Sequence, residues 1–278
     1  GGFPNPKNKK TELEAAKTPN MDALAAESIC GLHEPIGAGI TPGSGPAHLG
    51  LFGYAPLEYT VGRGVLSAMG IDFDLKAGDV ACRGNFCTVD DSGVITDRRA
   101  GRLSTEENRR IVKKLAEIEV PGVEVMVETI KEHRFLLVFR GSGLASNIKD
   151  TDPHIEGKKP LDPQPLDDRA KQTAQYAKQF LEKAQKVLAD EKQANMALLR
   201  GFAEMPDWPS FEEVYGVRPA SIAAYPMYRG LAKLLGMEAL DATSPGEDRE
   251  TIAHRIREAY PSWSKGKVSI WAGQLYRF

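Results

Sequence analysis

The chain has 278 residues, 41% of them hydrophobic and 27% charged, with a net charge of −2. That balance is ordinary for a globular protein and excludes a whole-chain basic field for nucleic acid or an anionic membrane. No apolar run approaches the roughly 20 residues that a bilayer-spanning helix needs. No signal-peptide pattern opens the sequence. Cys30, Cys82 and Cys87 form neither a disulfide framework nor a zinc spacing. The expectation is three reduced, small, mostly buried thiols in a cytoplasmic protein.

In chain order, Gly1 to Lys10 is polar and irregular. Thr11 to Glu27 has helical spacing, with Leu13, Met21, Leu24 and Ala25 available for one face. Pro19 interrupts or restarts it, because proline lacks the donor a helix interior requires. Ser28 to Leu32 reads as a short strand leading to a Gly/Pro-rich turn around Ser44, and a helix opens just beyond. The order helix, strand, turn, helix predicts α/β architecture. Asp79 to Asp90 reads as a strand, Asp91-Ser92-Gly93 as a tight turn, and Val94 to Thr96 as the returning strand. Ser104 and Glu107 have the capping-box spacing for a helix to about Ile118. Val123 to Ile130 and Arg134 to Arg140 are two further strands. Asp150 to Asp168 is a loop. Asp168 to Asn195 is a long helix with Ala174, Ala177, Phe180, Leu181, Ala184, Val187 and Leu188 on one stripe. Ala220 to Tyr225 is a strand, followed by a helix through Arg229 to Leu235 with Gly236 at its end.

Two stretches carry chemistry. In Thr41-Pro42-Gly43-Ser44-Gly45-Pro46-Ala47-His48-Leu49, glycines let the backbone turn sharply and a ligand approach closely. A helix starting there aims free N–H groups at whatever meets the serine oxygen, which suits a nucleophile attacking a phosphoryl group. The bland alternative is a turn with a solvated serine. In Asp97-Arg98-Arg99-Ala100-Gly101-Arg102, guanidinium forks match phosphate and carboxylate. The bland alternative there is a solvated charge run. Asp150-Thr151-Asp152-Pro153-His154 gathers carboxylates and an imidazole, but a turn held by side-chain-to-backbone hydrogen bonds accounts for it.

These motifs resemble those of the cofactor-independent phosphoglycerate mutases of the archaeal type, in the alkaline phosphatase superfamily. Thr18 to Ala25 looks like the family's first helix, and Leu51 to Pro56 like the exit of its nucleophile helix, with Ala55 where Asp is expected. The resemblance continues through Asn85 to Thr88, Thr96 to Arg102, Gly143 to His154, Leu199 to Gly201, Phe211 to Gly216 and Ala220 to Met237. It covers about nine-tenths of the chain and implies interconversion of 3-phosphoglycerate and 2-phosphoglycerate through a phosphoserine. Ser44 would be nucleophile and metal ligand. Asn85, Asp97, Arg98, Arg99, Arg102, Arg140, Arg200 and Arg229 would bind substrate, Arg229 standing where relatives tend to carry Lys. His48 would pack or position its helix. Two divalent metal ions (Mn, or Mg, Co or Zn) are implied, with a small phosphorylated three-carbon acid as ligand, no nucleic acid or membrane partner, and a homo-oligomer left open.

The resemblance also implies an alkaline-phosphatase-like sheet with helices on both faces, residues 1–77 and 208–278, and a smaller inserted α+β domain, 78–207. Hinge motion between the two would close the site. The family opens with a strand ending in a metal-binding Asp and closes with Asp and His ligands. Here the chain starts at Gly1-Gly2-Phe3 and, after Met237, holds one histidine, His254. The expectation is a fold incomplete at both ends. Other readings are another metal-dependent phosphomutase or phosphatase of the superfamily, or a non-catalytic phospho-ligand-binding protein.

Overall fold

The computed structural model describes residues 3–40, 42–223 and 225–240. The described residues form a mixed α/β structure, whose centre is an antiparallel sheet. Strand β1 (Val80–Val89) pairs on one side with β4 (Arg134–Arg140) and on the other with β5 (Met196–Ala203). Strand β3 (Glu124–Lys131) extends the sheet beyond β4, and β2 (Ile95–Asp97) hairpins back onto the end of β1. The Asp91-Ser92-Gly93 turn falls where expected, with the Asp90 side chain accepting from the N–H groups of Ser92 and Val94. Strand β5 was not foreseen; the long helix anticipated to Asn195 stops at Val187, and β5 begins one residue after Asn195.

Alternation along β1 decides what each face of the sheet holds. Val80, Cys82 and Phe86 point to a core shared with Phe135, Leu137, Phe139, Ala197 and Leu199. Helices α5 (Thr105–Ala116) and α6 (Lys171–Val187) cover this face through Ile111, Val112 and Leu115, and through Ala174, Ala177, Phe180 and Ala184. Ser104 caps α5 by accepting from the Glu107 N–H. Asn108, fully buried on α5, donates to the carbonyls of Glu132 and Arg134 and so ties the helix to the β3–β4 turn.

The other face is covered by a shorter helix, α4 (Arg63–Gly70). Ala68 packs with Ala81, Leu136 and Val138. The approach is so close that a Cβ on Gly64 would lie 2.0 Å from the Ala81 carbonyl oxygen. A second core joins α4 to the elements that precede and follow the sheet: α3 (Ser44–Leu51) and α8 (Pro226–Leu234), through Leu49, Leu66, Leu231 and Leu235. Helix α7 (Phe211–Tyr215) precedes the short strands β6 (Ala220–Ile222) and β7 (Glu238–Leu240), which pair in parallel.

Residues 12–32 depart from expectation. Pro19 does restart the helix, giving α1 (Glu12–Ala15) and α2 (Pro19–Glu27). Neither helix has a buried residue, and Leu13, Met21 and Leu24 are exposed. Ser28 to Leu32 is not a strand: no described segment pairs with it, and Ile29 and Leu32 are fully exposed. Cys30 is exposed too, against the expectation of burial, whereas Cys82 and Cys87 are buried. Residues 241–278, including His254 and the anticipated end of the main domain, lie outside the described residues.

An ion-pair network joins α5 to the segment just past the end of α6. Arg110 grips Glu191 through both terminal nitrogens (2.9 and 2.6 Å), and Lys114 reaches Glu191 at 2.6 Å and Asp190 at 3.0 Å. The Arg110 hydrogen bonds, opposed by burial and reinforced by Lys114, hold the Glu191 carboxyl at about 2. A carboxylate depressed in the folded state stabilises it above the ordinary value of 4.5, and that contribution is lost as pH falls through about 2. Glu191→Gln should therefore flatten the fall of the thermal midpoint between those limits. An unchanged slope in the variant would remove this network from the acid response.

Candidate active site

Ser44 is the first residue of α3, exposed, with Gly43 as a cap that contributes no side-chain hydrogen bond. The helix is seated on α4: a Cβ on Gly45 would touch Leu66 at 3.4 Å. His48, one turn on, donates from Nδ1 to the Ser44 carbonyl at 2.6 Å and stacks on Tyr228 with ring centroids 4.6 Å apart. The carbonyl can only accept, so the proton sits on Nδ1. His48 thus fixes the serine's backbone and joins it to α8. From Tyr228 the contacts run on to Tyr225 (5.5 Å) and from Tyr225 to the Arg134 guanidinium, 5.9 Å from the ring centre. An aromatic bridge therefore connects the serine helix to the sheet.

The sheet face that meets this bridge is rich in arginine. Arg83 and Asn85 point away from the α5–α6 core, and Arg200 lies directly opposite Arg83 on β5. A bulge between Ala81 and Arg83, beside Gly201 at φ 61°, re-aims this part of the pair. Arg63, at the start of α4, sits against Gly201; a Cβ there would lie 2.5 Å from the Arg63 nitrogen.

Asp152, with its side chain 1% exposed, organises one edge of the cluster. Arg98 donates to it bidentately, Nε at 3.0 Å and Nη2 at 2.7 Å, and Arg200 approaches it at 3.3 Å. Burial works to raise the Asp152 carboxyl, but Arg98, the His154 N–H and the Arg200 charge together take it below its ordinary value. Asp150 accepts from the Gly201 N–H at 2.7 Å and stands 3.6 Å from Arg200. The Asp150 to His154 turn, expected from its local hydrogen bonding, does have the His154 N–H on Asp152 at 2.8 Å. Its larger role, as carboxylate partner of two arginines, was not foreseen.

The structure separates the other sequence candidates. Asp97 spends both carboxylate oxygens on its own loop, accepting from the N–H groups of Arg99 (2.7 Å) and Gly101 (2.6 Å). That grip holds Ala100, Gly101 and Arg102 in three successive left-handed conformations, φ 48°, 64° and 54°. Left-handed backbone costs a non-glycine residue about 1–2 kcal/mol, so the loop stores strain to keep Arg99 and Arg102 outward. Both are exposed. Arg140 is not in the cluster: it sits at the far end of β4, paired with Asp79 at 2.9 and 2.7 Å. Arg229 on α8 bonds Asp72 at 3.2 Å, beyond the opposite end of α4 from Arg63.

Residues missed from sequence are Arg63, Arg83, Arg134, His133 and the two aspartates as arginine partners. Arg83 had a usable signal, because it falls two residues before Asn85 within one strand and alternation puts both on one face. His133 is 3% exposed, and burial, with the charges of Arg134, Arg83, Arg99 and Arg102, pulls it down to about 3. It is neutral when folded near pH 7. Among the described residues no three His, Cys, Asp or Glu side chains converge as a metal site. Ser44 alone does not hold a metal pair.

Comparison with known proteins gives the family. The model of the 2,3-bisphosphoglycerate-independent phosphoglycerate mutase family matches residues 25–194. The chain belongs to this family. A probable mutase of this type from Thermus thermophilus is 49% identical over 260 residues, covering 93% of this chain and 64% of that protein. One from Aquifex aeolicus is 49% identical over 250 residues, 87% of this chain and 61% of its own length. The chain thus spans less than two thirds of the length of these relatives. The solved cofactor-independent phosphoglycerate mutase of Thermoplasma acidophilum superposes with a TM-score of 0.61 at 32% identity, covering 96% of this chain and 72% of that one. Among the described residues no helix is long and apolar enough to cross a membrane.

Proposed function

We propose that this chain carries the phosphoryl-transfer site of a mutase interconverting 3-phosphoglycerate and 2-phosphoglycerate without bisphosphoglycerate. The observation that supports it most is the bridge from the Ser44 carbonyl through His48, Tyr228 and Tyr225 to the arginine face. It puts an exposed hydroxyl at a helix start on one side of a site and a bank of guanidinium groups on the other.

In this reading the Ser44 hydroxyl attacks the substrate phosphorus, the phosphoester bond to the glycerate oxygen breaks, and that oxygen takes up the proton that the Ser44 hydroxyl gives up. The neighbouring glycerate hydroxyl then attacks phosphoserine and releases Ser44. Positioning and charge neutralisation dominate such a transfer. Arg98 and Arg200, braced by Asp152, hold the acid in place, and Asp97 acts as the fastener of the Arg99–Arg102 loop rather than as a substrate contact. Two divalent cations are the family's expectation and would lower the charge on the transferred phosphoryl group. The described residues do not assemble their site, so no step is assigned to them. We further propose the alkaline-phosphatase-like arrangement, with 78–207 as an inserted unit. The separate core beneath α5 and α6 supports that division, while α4, ahead of the boundary, packs on both units.

The test is a coupled assay for 2-phosphoglycerate formation with added manganese and no bisphosphoglycerate, beside Ser44→Ala. Ser44→Ala should lower turnover by about 10³-fold or more. It should also abolish labelling of the protein by radiolabelled 3-phosphoglycerate. Labelling that persists in the variant would sink the phosphoserine route.

A further inference from the structure

Several arginines in and around the cluster have an anionic partner among the described residues, and Arg83 and Arg63 do not. Arg98 and Arg200 pair with Asp152, Arg140 with Asp79, Arg229 with Asp72, and Arg134 with Glu132 at 3.0 Å. The Arg83 side chain makes no hydrogen bond or ion pair with a described residue, and its Nε is buried without a partner. Arg63, beside it at the start of α4, is likewise unpaired among the described residues. Asn85, two residues along β1 on the same face, is 5% exposed, and its Oδ1 is buried with no donor. A half-buried guanidinium without a counter-charge is costly, and so is an unmatched buried amide oxygen beside it. A fold retains such a pair where a ligand completes it.

We propose that Arg83, Asn85 and Arg63 form the seat for one oxyanion of the substrate and the hydroxyl next to it. This rests on the mutase reading and names residues for its substrate. The Arg83 fork takes the oxyanion, Asn85 Oδ1 accepts from the adjoining hydroxyl, and Arg63 closes the seat from the helix end. Arg98 and Arg200, neutralised by Asp152 and Asp150, form its rigid wall. A guanidinium beside a carbonyl-type acceptor matches an oxyanion beside a hydroxyl, which a glycerate unit carries. The Arg83 proton is itself under pressure: burial first, then the charges of Arg63 and Arg200, pull it from 12.5 to about 10. An arriving anion relieves that pressure.

The seat makes a prediction that a structural arginine would not share. Arg83→Gln should weaken 3-phosphoglycerate binding to the full chain by roughly tenfold to a hundredfold in calorimetry, with Arg83→Lys in between. The same Arg83→Gln should raise the thermal midpoint of the unliganded protein by about 3 °C, because a half-buried unpaired charge is removed. D-glycerate competing where inorganic phosphate does not assigns the seat to the carboxylate; the reverse assigns it to the phosphate, and either supports an oxyanion seat. Binding by Arg83→Gln within twofold of the parent, a lowered midpoint, or no binding of any of the three probes by the parent overturns it. Ser44-dependent mutase activity with unaltered binding in Arg83→Gln would sink the seat and leave the mutase reading standing. Arg83-dependent binding without turnover would do the opposite.

Discussion

Replacing Asp152 by Ala should lower the stability of the folded chain by about 3–5 kcal/mol, the cost of breaking one partner out of a buried ion pair. The thermal midpoint should fall by roughly 10 °C. The size follows from what Asp152 holds. Its side chain is almost wholly buried, receives two hydrogen bonds from Arg98 and one from the His154 N–H, and neutralises Arg200. Without it, Arg200 keeps Asp150 at 3.6 Å as its anionic partner, and the Arg98 side chain loses both of its bonds to the carboxylate. Losing both charges should cost less than losing the aspartate alone, so Asp152→Ala with Arg98→Ala should recover part of the loss. Denaturant titration of the two singles and the double closes the cycle. A cost below about 1 kcal/mol for Asp152→Ala would mean that the pair behaves as a surface salt bridge.

The second large effect comes from a methyl group. Gly64→Ala on an isolated helix would help by about 0.5–1 kcal/mol, because glycine is a poor helix former. Here the new Cβ would stand 2.0 Å from the Ala81 oxygen, 2.3 Å from its carbonyl carbon and 2.6 Å from the Cys82 nitrogen. All three are backbone atoms of the central strand and cannot rotate away. Relief requires α4 to lift from the sheet, opening the Ala68 contacts and displacing Arg63. Overpacking of this kind costs typically 1–3 kcal/mol and more where the neighbour is rigid, so a net loss of about 3 kcal/mol is expected. Gly141→Ala is the control, since its Cβ would meet the Val123 side chain at 3.6 Å and the Gly122 carbonyl oxygen at 4.0 Å, both ordinary contacts. Equal midpoints for the two variants by circular dichroism would contradict the close contact of α4 with β1.

How far the sequence was legible follows from the range of each interaction. The Asp91-Ser92-Gly93 hairpin, the restart at Pro19, the Ser104 cap and the apolar stripe of α6 are written within a few residues, and they were found. The end of α6 was overrun because the polar residues after Val187 suit a helix as well as a turn. Ser44 was legible from its glycines and from the helix they introduce. The arginine run at 98–102 was legible as charge, but not the roles of its members. Only Arg98 meets a buried carboxylate, and that carboxylate is 54 residues away. Asp97 read as a substrate contact because a sequence does not show that its oxygens are already taken by the N–H groups of Arg99 and Gly101.

By itself the sequence determined the family, the exposed serine at a helix start, and most of the local elements, since short-range backbone and side-chain chemistry dictates them. Tertiary structure alone decided that β5 lies beside β1 and so sets Arg200 against Arg83 across more than a hundred residues. It also decided which arginines are neutralised and which stand without a counter-charge, and that Leu13, Met21 and Leu24 face outward despite their helical spacing. Pairing, burial and counter-charge depend on what the fold brings alongside, and no run of neighbouring residues encodes that.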